Sequence, residues 1–232
     1  VVADATGLGL IRENRYTKWF DFPPLREGDP GNESLNALVE WPGGKLALAS
    51  CEGFYLLDTA ARQIDTVPYF QNACVRTIWE KDGFYLFGTY GQGIHAWQDG
   101  EFRSLPLDPS GYLQYAHCFA EDPYGNLWIS TNRGLFRVAL QDLKDAFTEQ
   151  LPMIFYQYFG KQQGMVTSEM NGRCIPCFQR LPDGVFSFPT MDGLLWVPPE
   201  LQAWYTPRAA PFQVDLLLSR GQQISTSDSS GV

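Results

Sequence analysis

Basic charge is the first thing this sequence has little of. Its 17 Lys plus Arg are outnumbered by 26 Asp plus Glu, giving a formal charge of −9. A surface of that sign repels phosphates, so no nucleic-acid partner is expected. Long apolar runs are also missing: no stretch approaches the roughly 20 residues needed to cross a bilayer. The opening "VVADATGLGL" has neither a basic n-region nor a long apolar core, so no membrane span or export signal is expected within these residues. Histidine is scarce, with only His95 and His117. There is no nucleophile elbow, phosphate loop or metal-ligand spacing, and the expectation is no catalysis, no cofactor and no metal. Helical periodicity is almost confined to "ALQDLKDAFTEQL", where Leu140, Leu143, Phe147 and Leu151 predict one short helix near 140–150.

What is abundant is punctuation. The 232 residues are 44% hydrophobic and 15% aromatic, enough for a substantial core, and 22 Gly and 16 Pro break them into many short segments. The breaks are periodic. Around Gly44 the chain reads "VEWPGGKLALASCEGFYLLD", around Gly83 "IWEKDGFYLFGTYGQGIHAW", around Gly125 "AEDPYGNLWISTNRGLFRVA" and around Gly184 "QRLPDGVFSFPTMDGLLWVP". Each copy has a turn Gly, an apolar or aromatic strand, a small loop closing on a second Gly (Gly53, Gly93, Gly134, Gly193), and another strand. The paired glycines lie 9, 10, 9 and 9 residues apart. Gly9 followed by "LIRENRYTKWF" reads as the tail of an earlier copy, so the chain, which begins without Met, is expected to be a fragment of something longer.

Copies recur about every 40 residues, with a longer last interval that holds the expected helix. Four short antiparallel strands and three turns need about that length, and such a sheet buries both faces only by packing between copies of itself around an axis. Strands such as "GNLWIST" and "GFYLFGT" are apolar on nearly every residue, as doubly covered sheets require. The expected fold is all-β, a partial β-propeller of about four to five four-stranded blades. A β-sandwich would not repeat one motif copy after copy. A WD40 propeller would show Gly-His and Trp-Asp pairs, which are absent. A sialidase-type Asp box fails because Ala120 replaces its Ser and Asp122 lies three residues before Gly125 rather than two.

The segment "AEDPYGNLWISTNRGLFRV" resembles the two-component-regulator propeller repeat, which has a Glu-Asp, a Gly, a Leu-Trp-Ile, a Gly/Ser-Thr and a Gly-Leu. The following "YFGKQQGMVTSEMNGRCIPCFQRLPDGVFSFPTMDGLLWVPPEL" resembles the closing blade of that family, with Met165 in place of a usual Leu and Ser187-Phe188 where Phe-Gly is common. "PFQVDLLLSRG" resembles the first strand of the small β-sandwich that follows such propellers. The resemblance implies propeller blades over residues 1–205 and a linker with the start of that sandwich over 206–232. It also implies the periplasmic, ligand-sensing region of a membrane-bound, often hybrid, histidine kinase that responds to oligosaccharides. The fragment itself is then no enzyme, and it meets the membrane only through parts beyond it. A homodimer stays open. So do two rival functions: a propeller lyase or glycoside-active enzyme using His117 beside Tyr115 and Glu121, and a ligand-free scaffold.

Propeller ligands commonly sit where the loops between second and third strands meet the loops entering first strands. The first set of loops holds Glu52, Tyr90, Gln92, Asn132, Arg133, Met191 and Asp192; the second holds Asn36, Asn72, Arg76, Tyr112, Gln114, Tyr115, His117, Glu169 and Asn171. Sugars offer hydroxyls and apolar ring faces, so planar polar groups beside aromatic rings suit them. Tyr90, Gln92, Tyr115, His117, Asn132, Arg133 and Asn171 are the candidate ligand-binding residues. Trp79, Phe87 and Trp128 belong to strands and are expected in the core. An anionic sugar would require Arg76, Arg133 and Arg173 to cluster. Cys174 and Cys177 of "CIPC" fall on an expected first strand, where residues three apart face opposite ways. No second CxxC completes a zinc site, and Cys51, Cys74 and Cys118 are expected as isolated buried thiols. The polar tail "GQQISTSDSSGV" is expected to be disordered.

Overall fold

The structure, a computed structural model, describes residues 2–4, 7–21, 35–107, 109–172, 176–203, 217–219 and 222–224, with side chains described within 7–21, 35–107, 109–172 and 176–203. Its strands form successive antiparallel meanders, each a blade. The first blade has β1 (Val2–Asp4), β2 (Gly7–Arg12) and β3 (Arg15–Asp21). The second has β4 (Ala37–Trp41), β5 (Lys45–Ala49), β6 (Phe54–Asp58) and β7 (Gln63–Thr66). The third runs through β8 (Val75–Lys81), β9 (Phe84–Thr89), β10 (Ile94–Gln98) and β11 (Glu101–Ser104). The fourth has β12 (Ala116–Glu121), β13 (Asn126–Thr131) and β14 (Gly134–Ala139), then helix α1 (Leu140–Phe147), then β15 (Gln157–Phe159). The fifth has β16 (Gln179–Arg180), β17 (Phe186–Thr190) and β18 (Gly193–Val197), followed by a one-turn helix α2 (Pro199–Ala203).

The fold is the partial propeller expected, with one refinement: three blades have four strands, and the first and fifth have three among the described residues. First strands of neighbouring blades touch, β4 with β8 and β8 with β12, which sets them around the axis. The pleat then sorts each middle strand between two joints. On β9, Tyr85 and Phe87 pack toward the second blade with Trp41 and Phe54, while Phe84 and Leu86 pack toward the fourth with Ile129 and Phe136. On β13, Leu127 and Ile129 join that same joint, and Trp128 turns the other way onto Phe186 and Phe188 of the fifth blade. Leu8 and Phe20 of the first blade meet Leu48, Tyr55 and Leu57 of the second. Every residue of β9 and β13 is buried, which is why neither strand alternates apolar with polar.

The repeated motif has a structural reading. "EDPYGN" is a turn with Asp122 first, Pro123 second and Gly125 fourth, the positions these residues favour; Gly125 adopts φ +80°, and its amide donates to the Asp122 carbonyl at 3.4 Å. The Asp122 carboxylate, 3% exposed, accepts from the amides of Tyr124 (2.9 Å) and Asn126 (3.0 Å), from Asn126 Nδ2 (3.0 Å to Oδ2), and from Trp128 Nε1 at 3.0 Å. Arg137, opposite Trp128 across the β13–β14 ladder, brings its Nε within 3.6 Å of the same carboxylate. The Ser/Thr-x-x-Gly element recurs as one hydrogen-bonded loop. Ser50, Thr89, Thr131 and Thr190 each donate a hydroxyl to the carbonyl of the closing Gly and accept from an amide two or three residues on.

Helix α1 lies where the third-to-fourth-strand turn of the fourth blade would be, and buries Leu140, Leu143, Ala146 and Phe147 in the joint between the third and fourth blades. Leu151 packs on the same core. Two expectations are overturned by the cysteines. Cys51 is bonded to Cys74 and Cys118 to Cys177. Each bond joins successive blades, because the second-to-third-strand loop or first strand of one blade abuts the chain entering the next. These four are therefore disulfides rather than isolated thiols, and Cys177 precedes β16 instead of lying on a first strand. Cys174 and Arg173 lie outside the described residues, as does most of 206–232. Within that stretch β19 (Leu217–Ser219) pairs with β20 (Gln222–Ile224) as a short hairpin, so part of the polar tail is a strand.

Candidate functional site

Four of the seven candidate residues converge on the loop face. The loop after β9 and the chain entering β12 are tied by a bridge between Tyr90 and Tyr115, whose rings meet edge to face at 4.9 Å. The Tyr90 ring also lies roughly parallel to His117 at 6.0 Å and carries the Arg76 guanidinium over its face at 4.7 Å. His117 Nε2 is 2.5 Å from Asn132 Oδ1, which links the fourth blade's first strand to its second-to-third-strand loop. Tyr90 remains 45% exposed, so part of this cluster meets solvent.

His117 is 4% exposed, and the cost of burying its charged form pulls its pKa below the usual histidine value. The Asn132 hydrogen bond opposes that shift, the Arg76 charge adds to it, and Glu169 opposes it. Gly172 is why the ring fits: a Cβ there would stand 2.8 Å from His117 Nδ1. Its hydrogen bond to Asn132 fixes the imidazole against the fourth blade's second-to-third-strand loop.

Gln92 and Arg133 make other contacts, and Asn171 precedes the Gly172 that packs on His117. The Gln92 side chain reaches the Asn72 carbonyl at 3.5 Å, and its own carbonyl lies 3.1 Å from His95 Nε2; His95 in turn contacts the Tyr69 hydroxyl at 3.0 Å. Arg133 turns away from His117 to lie over Tyr112 at 5.2 Å, while its carbonyl accepts from Tyr158 at 2.9 Å. Asn171 is exposed and anchored through its amide to the Pro189 carbonyl at 2.9 Å. Arg76 and Arg133 stack on different tyrosines rather than forming one cationic patch. Among the described residues no group of His, Cys, Asp and Glu is arranged to hold a metal ion, and no helix is long and apolar enough to cross a membrane.

The sequence profile of the two component regulator propeller matches residues 113–133, the stretch from Leu113 through Tyr115, His117 and the Asp122 turn to Asn132 and Arg133. That match spans one repeat, β12 and β13 of the fourth blade with the turn between them and part of the loop that follows. Solved structures agree on the fold of this propeller. It is similar to the extracellular domain assigned to the hybrid two component system BT3049 of B. thetaiotaomicron, with TM-score 0.54 and 17% identity over 82% of this chain and 23% of that one. It is also similar to the corresponding domain of BT4673 from the same organism, with TM-score 0.57 and 13% identity over 83% of this chain and 25% of that one. The chain therefore spans about a quarter of the length of either structure. An ancestral GH74 enzyme shares the fold at TM-score 0.52 and 11% identity, over 84% of this chain and 28% of that one. No curated protein matches the chain in sequence.

Proposed function

We propose that this propeller is a ligand-recognising part of the extracytoplasmic region of a two-component sensor, and that its ligand is an oligosaccharide. The observation that carries the proposal is the coincidence of the family repeat with the loop-face cluster: Tyr115, His117 and Asn132 lie inside residues 113–133. The similar BT3049 and BT4673 domains, extracellular parts of hybrid two component systems, support the sensor role. The two disulfides suit an oxidising compartment. A partly exposed tyrosine ring beside a carboxamide suits a sugar ring and its hydroxyls.

The mechanism is a population shift. Ligand must bind one arrangement of the propeller and whatever follows it more tightly than another, each tenfold of preference being about 1.4 kcal/mol of bias. The chain after 205 is the route such a bias would take toward a membrane-bound kinase. Calorimetric titration against plant and host oligosaccharides, with product analysis on every mixture, is the test. Saturable binding lost in Tyr90→Ala, with the sugars unchanged, supports the proposal. Cleaved sugar would instead establish an enzyme, and binding indifferent to Tyr90 would move the ligand off the loop face.

A further inference from the structure

A second site lies on the opposite side of the fourth blade, away from the loop face. Asn126 and Trp128 of β13, Arg137 and Ala139 of β14, and Gln157 of β15 share one face of that sheet, since Asn126 pairs with Ala139, Trp128 with Arg137 and Arg137 with Gln157. The inner part of this face is covered by the fifth blade through Phe186 and Phe188. The outer part is not. There Asn126, Arg137, Ala139, Gln157, Phe155 and Asp142 of α1 are among the residues that line a cavity of about 630 Å³, within the range of small-molecule sites. It exists because α1 and the chain returning to β15 replace what would be a tight turn.

The walls define a chemistry. Gln157 Oε1 is buried and accepts no hydrogen bond, a cost that a donor from a bound molecule would remove. Asp142 supplies a second acceptor, its pKa raised by partial burial and then by Asp145. Phe155 is 53% exposed and offers an apolar platform. Arg137, 4% exposed and ion-paired with Asp122, puts positive charge in the same wall and disfavours a cation. Asp142 and the acceptor on Gln157 disfavour an anion. We infer that this outer-rim cavity is a binding site for a small neutral polyhydroxylated molecule, a mono- or disaccharide, whose hydroxyls donate to Gln157 and Asp142 while its ring lies on Phe155. This site is separate from the loop-face cluster and does not depend on the function proposed for it.

The test is saturation-transfer NMR on the intact chain with D-glucose, D-galactose, L-arabinose and maltose as probes, each at roughly 10 mM to cover millimolar dissociation constants. It is run on the wild type and on Phe155→Ala, Gln157→Leu and Tyr90→Ala, with circular dichroism to verify folding. Both substituted rim residues are at least partly exposed, so the variants should fold. The expected result is saturation of sugar ring protons that is retained in Tyr90→Ala and weakened about fivefold or more in Phe155→Ala and Gln157→Leu, the scale of one lost hydrogen bond or stacking contact. No saturation of any probe overturns the inference. So does saturation lost in Tyr90→Ala and kept in Phe155→Ala, an outcome that would leave the loop-face proposal standing.

Discussion

Asp122 is where the repeat's logic can be tested most sharply. Asp122→Asn keeps the shape of the side chain and removes its charge, while placing an amide donor among groups that are all donors. Trp128 Nε1, at 3.0 Å, and the Asn126 amide, also at 3.0 Å, are both buried with the carboxylate as acceptor. They bond different carboxylate oxygens, and Asn retains one carbonyl oxygen as an acceptor, so one of the two is left unsatisfied, at about 1–3 kcal/mol. The Tyr124 amide is omitted, because Tyr124 is 54% exposed and water can replace the bond. Arg137, with a side chain 3% exposed, then loses its carboxylate partner, a change that by itself typically costs about 3–5 kcal/mol in buried pairs. These terms overlap, and the expected destabilisation is about 4 kcal/mol, a large share of a single domain's usual stability of about 5–15 kcal/mol. Urea unfolding followed by far-ultraviolet circular dichroism gives the number. The double variant Asp122→Asn with Arg137→Met should cost clearly less than the sum of the two single changes, since the second change removes the stranded charge. A loss below about 1.5 kcal/mol for Asp122→Asn, or strict additivity in the cycle, would refute the view that this carboxylate organises the turn.

Replacing both cysteines of a pair by Ala should cost about 3.4 kcal/mol for Cys51 with Cys74 and about 4.2 kcal/mol for Cys118 with Cys177, from loop-closure entropy over separations of 23 and 59 residues; more than one reactive thiol in the unreduced, denatured chain would contradict the pairing. His95 and His117 have pKa values lowered chiefly by burial. The unfolded chain therefore takes up protons as pH falls through about 6.5 while the folded chain does not, and stability should drop on the acid side by up to about 1.4 kcal/mol per pH unit for each histidine. His117→Gln should flatten that slope between pH 6.5 and 5, and an unchanged slope would rule out the buried neutral state. Thr131→Val keeps the volume but deletes the hydroxyl that donates to Gly134 and accepts from Arg133. It should cost about 1–2 kcal/mol and speed hydrogen exchange of the Arg133 amide, and exchange at the wild-type rate would show that the hydroxyl does not hold the loop.

The blade pattern was legible because its determinants are local. Gly125 and Gly134 answer backbone demands within one hairpin, and both take positive φ; Thr131 closes its loop over three residues. The helix at Leu140–Phe147 was legible for the same reason, its apolar stripe lying within two turns. What escaped depends on how blades meet. "CIPC" drew the eye to an adjacent pair, whereas Cys177 bonds to Cys118 across a joint. Aligning the repeats would have offered a signal, since Cys51 closes one blade's loop and Cys74 opens the next blade. The candidate site was legible in part. Tyr90, Tyr115, His117 and Asn132 come together because the loops that carry them converge, but nothing local states that Arg133 turns toward Tyr112. The rim cavity was invisible for a further reason: β15 is three residues long and follows a helix, so the register that sets Gln157 opposite Arg137 has no pattern of its own.

The placement of the two sulfur bridges has a mechanical consequence. One bridge ties the second blade to the third and the other ties the fourth to the fifth, while the joint between the third and fourth, where α1 is wedged, is held without a covalent bond among the described residues, by packing and by ion pairs such as Lys81 with Glu121. From the second blade to the fifth, the described arc is two riveted pairs sharing one unriveted seam. A torque on either end cannot part the riveted joints without breaking a covalent bond, so the strain falls on the seam, and the yield point of the arc is set by how tightly Leu143 and Phe147 fill it.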